Sequence, residues 1–317
     1  MNNLISIVVS LYNEDGGVVA FWESLNPVLG QLKQNRFEVI WVNDGSTDNT
    51  QEILQGITKD QNEQVAHHVL ELSKNFGHEA AMIAGVDYAK GDAIVCMDGD
   101  GQHPAKMLPE MISAYNQGHD IVLMNNTVTV GTSKFRQIFT NVFYKLINYL
   151  STIKFEQNSS DFYLISTQVG SLLKSNYREQ SRFLRGFIQS VGFSSKVLPF
   201  EAEERKNGVS SYSVMSLIKL ALNAIFTFSF KPLRISIFFS VIFILFTFLF
   251  ILYSLYEYFY GEKTPSGYTT VVIFLSFSFS LLFLTLTVLS LYIEKTIQEM
   301  RQRPIYIVKK RRDNSDQ

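Results

Sequence analysis

Residues 92–104 read DAIVCMDGDGQHP, five apolar residues that stop abruptly at Asp98-Gly99-Asp100. A short β-rich apolar block closed by turn-forming Asp and Gly is the mark of a strand buried on both faces, with polar side chains at its carboxyl end. The pattern recurs upstream: the apolar run from Leu4 leads into Tyr12-Asn13-Glu14-Asp15, and the run from Phe37 leads into Asp44-Gly45-Ser46-Thr47-Asp48. Strands are expected at 4–10, 37–43, 66–72, 92–97 and 120–124, with helices at 17–34, 48–58, 78–89 and 104–116. This alternation predicts an α/β fold with helices on both faces of a sheet whose first four strands are mostly parallel. In such sheets ligands bind beyond the carboxyl ends of the strands, where the polar clusters fall.

Asp98 and Asp100 are the leading candidates among those clusters. In extended backbone, residues two apart project to one face, so both carboxylates can converge on a divalent ion while Gly99 leaves room. Two carboxylates, completed by ligand phosphates and water, suit Mg²⁺ or Mn²⁺. Asp44 sits at a strand tip before a glycine that would let a ligand approach closely. Ser46, Thr47 and Asp48 are also ordinary caps for the next helix. His67, His68, His78, His103 and His119 show no metal-ligand spacing, and only His103, beside the triplet, is a candidate. Cys96 reads as core.

The chain has 317 residues, 46% hydrophobic and 18% charged, with 28 basic against 29 acidic side chains and a formal charge of −1. A near-neutral chain excludes a nucleic-acid binder driven by phosphate attraction. A single cysteine allows no internal disulfide and fits a reducing compartment. Residues 235–259 and 268–293 carry one charge between them, Glu257, and each exceeds the ~20 residues needed to cross a hydrocarbon core of about 30 Å. The short link GEKTPSG makes them a helical hairpin. Lys219, Lys231 and Arg234 precede it and Lys295, Arg301, Arg303 and Lys309–Arg312 follow it, against Lys263 alone in the link. The positive-inside rule then places both termini in the cytoplasm, and no signal peptide is expected at the start. Residues 134–150 and 212–230 each set apolar side chains against a polar stripe and read as interfacial amphipathic helices. The expected organisation is a cytoplasmic catalytic domain over 1–211, an interfacial helix over 212–234, the two spans within 235–294, and a basic tail over 295–317.

The stretches SIVVSLYNE, VNDGSTDNT, LSKNFGHEAAMIAGVDYAKGDAIVCMDGDGQHP, SSDFYLIS, RFLRGFIQSVGF and ERKNGVSSYS, followed by FSFKPLRI at the first span, together resemble glycosyltransferase family 2. The similarity is to its polyprenyl-phosphate branch, relatives of dolichol-phosphate mannose synthase, and covers nearly the whole chain in order. It implies a Rossmann-like domain of the GT-A type, followed by the transmembrane hairpin. It also implies inverting transfer of a monosaccharide from a UDP- or GDP-linked sugar to polyprenyl phosphate, such as undecaprenyl phosphate, at a bacterial cytoplasmic membrane. Carried over by position, nucleotide-binding roles fall on Tyr12, Glu14 and Asp44, metal binding on Asp98 and Asp100, and the catalytic Asp of the family's GDF-type motif on Asp161. Gln102 follows the triplet as in relatives, and Arg205 matches a basic position facing the phosphates. Arg182 and Arg185 are further candidate phosphate donors, and Asp100 is also placed among the catalytic residues.

The chain departs from the family's pattern where arginines usually follow the fifth strand, here Met124-Asn125-Asn126-Thr127-Val128-Thr129. It departs again at Ser160-Asp161-Phe162-Tyr163-Leu164, which lacks a glycine and an arginine, and at Ser211 and Ser10-Leu11. These losses leave two alternatives open: glycosylation of another lipid acceptor, and a weakly active scaffold that binds nucleotide sugar. A second copy, and a flippase or downstream transferase, are the macromolecular partners to be considered.

Overall fold

The computed structural model describes residues 3–59, 64–127, 159–180, 184–202, 231–260 and 267–313. They divide into two units: the described residues up to 202 together with 303–313, and the described residues from 231 to 302.

The first unit is built on strands β1 (Leu4–Leu11), β2 (Arg36–Asn43), β3 (Val65–Leu72), β4 (Ala93–Asp98), β5 (Ile121–Asn126), β6 (Ser159–Ser166), β7 (Ser195–Phe200) and β8 (Val308–Asp313). They form one mixed sheet in the order β7-β5-β6-β4-β1-β2-β3-β8. The β3-β2-β1-β4 run is parallel, β6 is antiparallel to β4 and β5, β7 is parallel to β5, and β8 is antiparallel to β3. Helices α1 (Val18–Gln31), α2 (Thr50–Ile57), α3 (His78–Tyr88), α4 (Leu108–Asn116), α5 (Thr167–Ser175) and α6 (Leu184–Ser190) connect or flank the strands.

Because strand side chains alternate, each strand feeds two cores. Ile7, Val9, Trp41, Val95, Met97 and Phe162 belong to one, with α1 and α4; Val8, Ile40, Cys96, Tyr163 and Ile165 belong to the other, with α3, α5 and α6. Each fully buried Val, Leu or Ile contributes about 1.5–3 kcal/mol by leaving water. The second core brings α3 very close to β1. A Cβ added at Gly85 would stand 2.1 Å from Val8 Cγ1, so a side chain there has no space. His78, two helical turns before Gly85, therefore faces the sheet as well, at the carboxyl ends of the parallel strands.

The five expected strands are present, and three more are added. The segment 159–166, which carries the SSDFYLIS motif, forms β6. The segment 195–200 contains Pro199, which is tolerated because β7 is an edge strand. The basic run read as a tail forms β8, and its contacts explain why so many charges are accepted. Lys309 Nζ reaches Glu71 Oε1 at 2.5 Å, the Arg311 guanidinium lies 4.3 Å from the Tyr88 ring centroid, and Tyr306 donates to Asp87 Oδ2 at 2.7 Å.

The second unit contains α7 (Lys231–Tyr260) and α8 (Tyr268–Met300). Within them, Leu233–Glu257 and Thr270–Met300 are long and apolar enough to cross a membrane. In α8, Ser278, Ser280, Thr287 and Ser290 each donate to the carbonyl one turn earlier, which satisfies those hydroxyls within the helix. The expected amphipathic helices at 134–150 and 212–230 lie outside the described residues.

Replacing Gly85 by Ala should lower stability by about 1–3 kcal/mol, because the stiff Val8 side chain must move or α3 must lift from β1. Thermal unfolding of the full chain checks this, and an unchanged midpoint would contradict the close packing.

Candidate active site

Two loops at the carboxyl end of the sheet are cross-linked. Asn13 N–H donates to Ser46 Oγ at 3.0 Å, Thr47 N–H to Asn13 Oδ1 at 2.9 Å, Glu14 N–H to Thr50 Oγ1 at 2.9 Å, and Asp15 N–H to Asp48 Oδ2 at 3.1 Å. Thr47 and Asp48 thus tie one loop to the other, and Tyr12 projects from this assembly with 45% of its surface exposed.

Asp44 is buried, and its two carboxylate oxygens accept from Phe76 N–H at 2.8 Å and Gly77 N–H at 2.9 Å. It therefore fixes the loop that launches α3. The expected role of Gly45 changes accordingly. Its φ is +66°, and an added Cβ would lie 2.3 Å from the Lys74 carbonyl carbon, so the close approach at Gly45 is made by the 74–75 backbone. Gly99 differs in the same way: the space for a Cβ is filled by Leu11, whose Cδ2 would be 2.2 Å away. Both glycines serve packing of the loops.

The register of the sheet assembles the centre of the site. Ser10 is paired with Asp98 across β1 and β4, and the β4–β6 pairing ends at Cys96↔Tyr163. Continuing that register by two residues sets Asp98 opposite Asp161. The row Ser10, Asp98, Asp161 lies on the α3 face, one step beyond the buried Val8, Cys96 and Tyr163. Two carboxylates opposite each other on neighbouring strands repel, and positive groups surround them. Arg185 holds Asp161 with two parallel hydrogen bonds, Nε to Oδ1 at 2.5 Å and Nη2 to Oδ2. His78 Nδ1 lies 3.0 Å from Ser10 Oγ and 3.3 Å from Asp98 Oδ1, and its Nε2 lies 3.5 Å from Asp161 Oδ2.

Charge balance follows from these contacts. Burial raises the Asp161 pKa, but the adjacent Arg185 guanidinium, with help from His78, holds it well below the usual carboxylate range. Burial lowers the His78 pKa, but Asp161 and Asp98 push it up to about 9, so the ring is an imidazolium at neutral pH. Burial raises the Asp98 pKa; the charged His78 pulls it down, while Asp161 and Asp100 add to the rise.

A divalent cation would favour the charged form of Asp98, and the carboxylates of Asp98 and Asp100 are the hard oxygen donors such an ion takes. Among the described residues no group of three or more His, Cys, Asp or Glu side chains is placed to hold a metal ion by itself. Carboxylates at 98 and 100 would supply hard oxygen ligands while leaving positions for phosphate and water. Asp100 Oδ1 accepts from Gln102 N–H at 3.0 Å, which fixes the turn after the triplet.

His103 acts from the other side of the sheet. Its Nδ1 accepts Asp98 N–H at 2.8 Å, its Nε2 is 2.8 Å from Ser160 Oγ, and its ring stacks on Phe162 at 5.0 Å. Since Nδ1 accepts, the proton sits on Nε2 and is donated to Ser160. Burial pushes the His103 pKa down, in keeping with a neutral ring.

Tyr12, Glu14, Asp44, Asp98, Asp100, Gln102, Asp161 and Arg185 all lie in the first unit, at or beyond strand ends or on the helix facing them. Arg182 and Arg205 lie outside the described residues. The motif pattern missed His78, although it follows the third strand, where polar groups of this fold class gather.

Comparison with known proteins identifies the family. The family model for glycosyl transferase family 2 matches residues 6–174. The chain belongs to glycosyltransferase family 2. It is therefore a glycosyltransferase with a GT-A sheet. It is 32% identical over 307 residues to an uncharacterized glycosyltransferase, YkcC, of Bacillus subtilis, covering 96% of this chain and 93% of that one. It is 30% identical over 306 residues to the SfII prophage-derived bactoprenol glucosyl transferase of Shigella flexneri, covering 96% and 97%. The solved mannosyltransferase PcManGT from Pyrobaculum calidifontis, in complex with GDP-Man and Mn²⁺, aligns with a TM-score of 0.49 and 13% identity over 74% of this chain and 65% of that one.

Replacing His103 by Phe keeps the ring stack but removes both nitrogens. Leaving the Asp98 N–H without its acceptor should cost about 1–3 kcal/mol in thermal unfolding. Unchanged stability would contradict the assigned hydrogen bonds.

Proposed function

We propose that this glycosyltransferase moves a monosaccharide, with inversion, from a nucleotide diphosphate sugar to polyprenyl phosphate. The observation that carries the reading is the row of carboxylates at the strand ends, in a chain with two helices long and apolar enough to cross the membrane where such an acceptor resides. The 30%-identical Shigella flexneri relative, named for bactoprenol glucosyl transfer, supports the same acceptor class.

In this mechanism Tyr12 and Glu14 line the nucleoside side, and Asp44 shapes its floor by holding residues 76 and 77. A divalent ion, Mg²⁺ or Mn²⁺, held by Asp98 and Asp100 would neutralise the leaving diphosphate. A lipid phosphate is already ionised at neutral pH, so its oxygen attacks the anomeric carbon as the bond to the diphosphate breaks, without a strong base. Asp161 fits this requirement, because a carboxylate held deprotonated by Arg185 is a poor proton acceptor and a good fixed anchor. Its role is to orient. Arg185, with Arg182 and Arg205, draws the acceptor phosphate into place. The excess of basic residues flanking the spans puts both termini on the cytoplasmic side.

The test is transfer by membranes containing the full chain, supplied with undecaprenyl phosphate and labelled UDP-glucose or GDP-mannose. A mild-acid-labile lipid product is expected, abolished by EDTA and restored by Mg²⁺ or Mn²⁺. Asp98→Ala and Asp100→Ala should each lower the rate by roughly 10²-fold or more. A metal-independent product, an alkali-sensitive product formed only with diacylglycerol, or nucleotide binding with no turnover would each overturn the proposal.

A further inference from the structure

We propose that His78 is a positioning residue of the transfer site: by bridging Asp98 and Asp161 it sets the acceptor-side carboxylate at a fixed offset from the metal-side carboxylate. The inference deepens the proposed function and rests on its assignment of those two aspartates.

Geometry supports it at three levels. One imidazole places Nδ1 3.3 Å from Asp98 Oδ1 and Nε2 3.5 Å from Asp161 Oδ2, so the two carboxylates share one rigid planar linker. Ser10 closes the Asp98 side, lying 3.0 Å from the same Nδ1 while donating to Asp98 Oδ1 at 3.2 Å. The linker itself is immobilised from both ends of its local backbone. Asp44 binds the amides of Phe76 and Gly77 immediately before it, and two turns later Gly85 seats α3 against Val8.

The need for such a linker follows from the strand pairing. The β4–β6 ladder stops at Cys96↔Tyr163, two residues short of the facing aspartates. Beyond that point backbone hydrogen bonds no longer define the separation of the strand tips, and the carboxylates repel. Arg185 grips Asp161 from α6 with a bidentate pair. His78 touches both.

The experiment uses the full chain with Mn²⁺, UDP, UDP-glucose or GDP-mannose, and undecaprenyl phosphate. His78→Ala should lower kcat roughly 10²-fold, the scale expected when a reacting group shifts by about 1 Å. Its affinity for Mn²⁺ with UDP should change by a far smaller factor than kcat, since the carboxylates of Asp98 and Asp100 remain. Glutamine reaches the Nε2 position and asparagine only the Nδ1 position, so His78→Gln should retain more kcat than His78→Asn. Combining His78→Ala with Asp161→Asn should be no slower than the slower single variant, because both remove one linked unit. Wild-type kcat in His78→Ala, equal losses in the Gln and Asn variants, or multiplicative losses in the double variant would overturn the inference. If His78→Ala does not fold, the Gln and Asn comparison decides it. If the wild-type chain makes no lipid-linked sugar, the proposed acceptor reading has failed. The inference is then judged from unfolding midpoints of the His78→Gln and Asp161→Asn cycle: a non-additive shift of roughly 2–4 °C supports it and an additive one overturns it.

Discussion

Asp98 and Asp161 face each other across the open end of the β4–β6 pair, and most features of the site answer that repulsion. Like charges opposite one another on adjacent strands destabilise a sheet unless positive groups stand between them. Arg185 and His78 supply those groups, drawn from two different helices on the same face. Their supply is unequal. Arg185 holds Asp161 with a bidentate pair, while burial, with Asp161 and Asp100 nearby, raises the pKa of Asp98.

Holding such a row in place requires a stiff frame. Asp98 is anchored by its own backbone N–H on His103 and through its side chain by Ser10 and His78. Ser160, immediately before Asp161, meets His103 on the opposite face. Two histidines of opposite protonation state therefore brace the same pair of strand tips: a neutral His103 buried among Phe162 and Phe200, and a cationic His78 among carboxylates. Preorganised charge of this kind need not reorganise when a diphosphate departs, which is the main electrostatic advantage of a rigid site.

The parallel core and its polar strand ends were legible because buried parallel strands read as continuous apolar runs that end in turn residues. Asp98, Asp100 and Asp44 stood out for that reason. His78 did not, because its partners come from register. Nothing local in HEAAMIAG reveals that Asp98 and Asp161, 63 residues apart in sequence, converge on it. The roles of Gly45 and Gly99 were hidden for a related reason, since a glycine that makes room for a ligand looks the same in sequence as one packed on the 74–75 backbone or on the Leu11 side chain. The strand β8 was hidden by its charge. Lys309, Arg311 and the preceding Tyr306 meet Glu71, Tyr88 and Asp87, so a run that reads as a solvated tail completes the sheet edge.

The account stands or falls on where a divalent ion binds. Anomalous diffraction at the manganese edge from crystals of the full chain grown with Mn²⁺ and UDP locates that ion directly. The predicted result is a single strong peak within coordination distance of the Asp98 carboxylate, on the α3 face of the sheet and beside the His78–Asp161 pair. A peak elsewhere, with Asp98 still bound only to Ser10, His78 and His103, would contradict it.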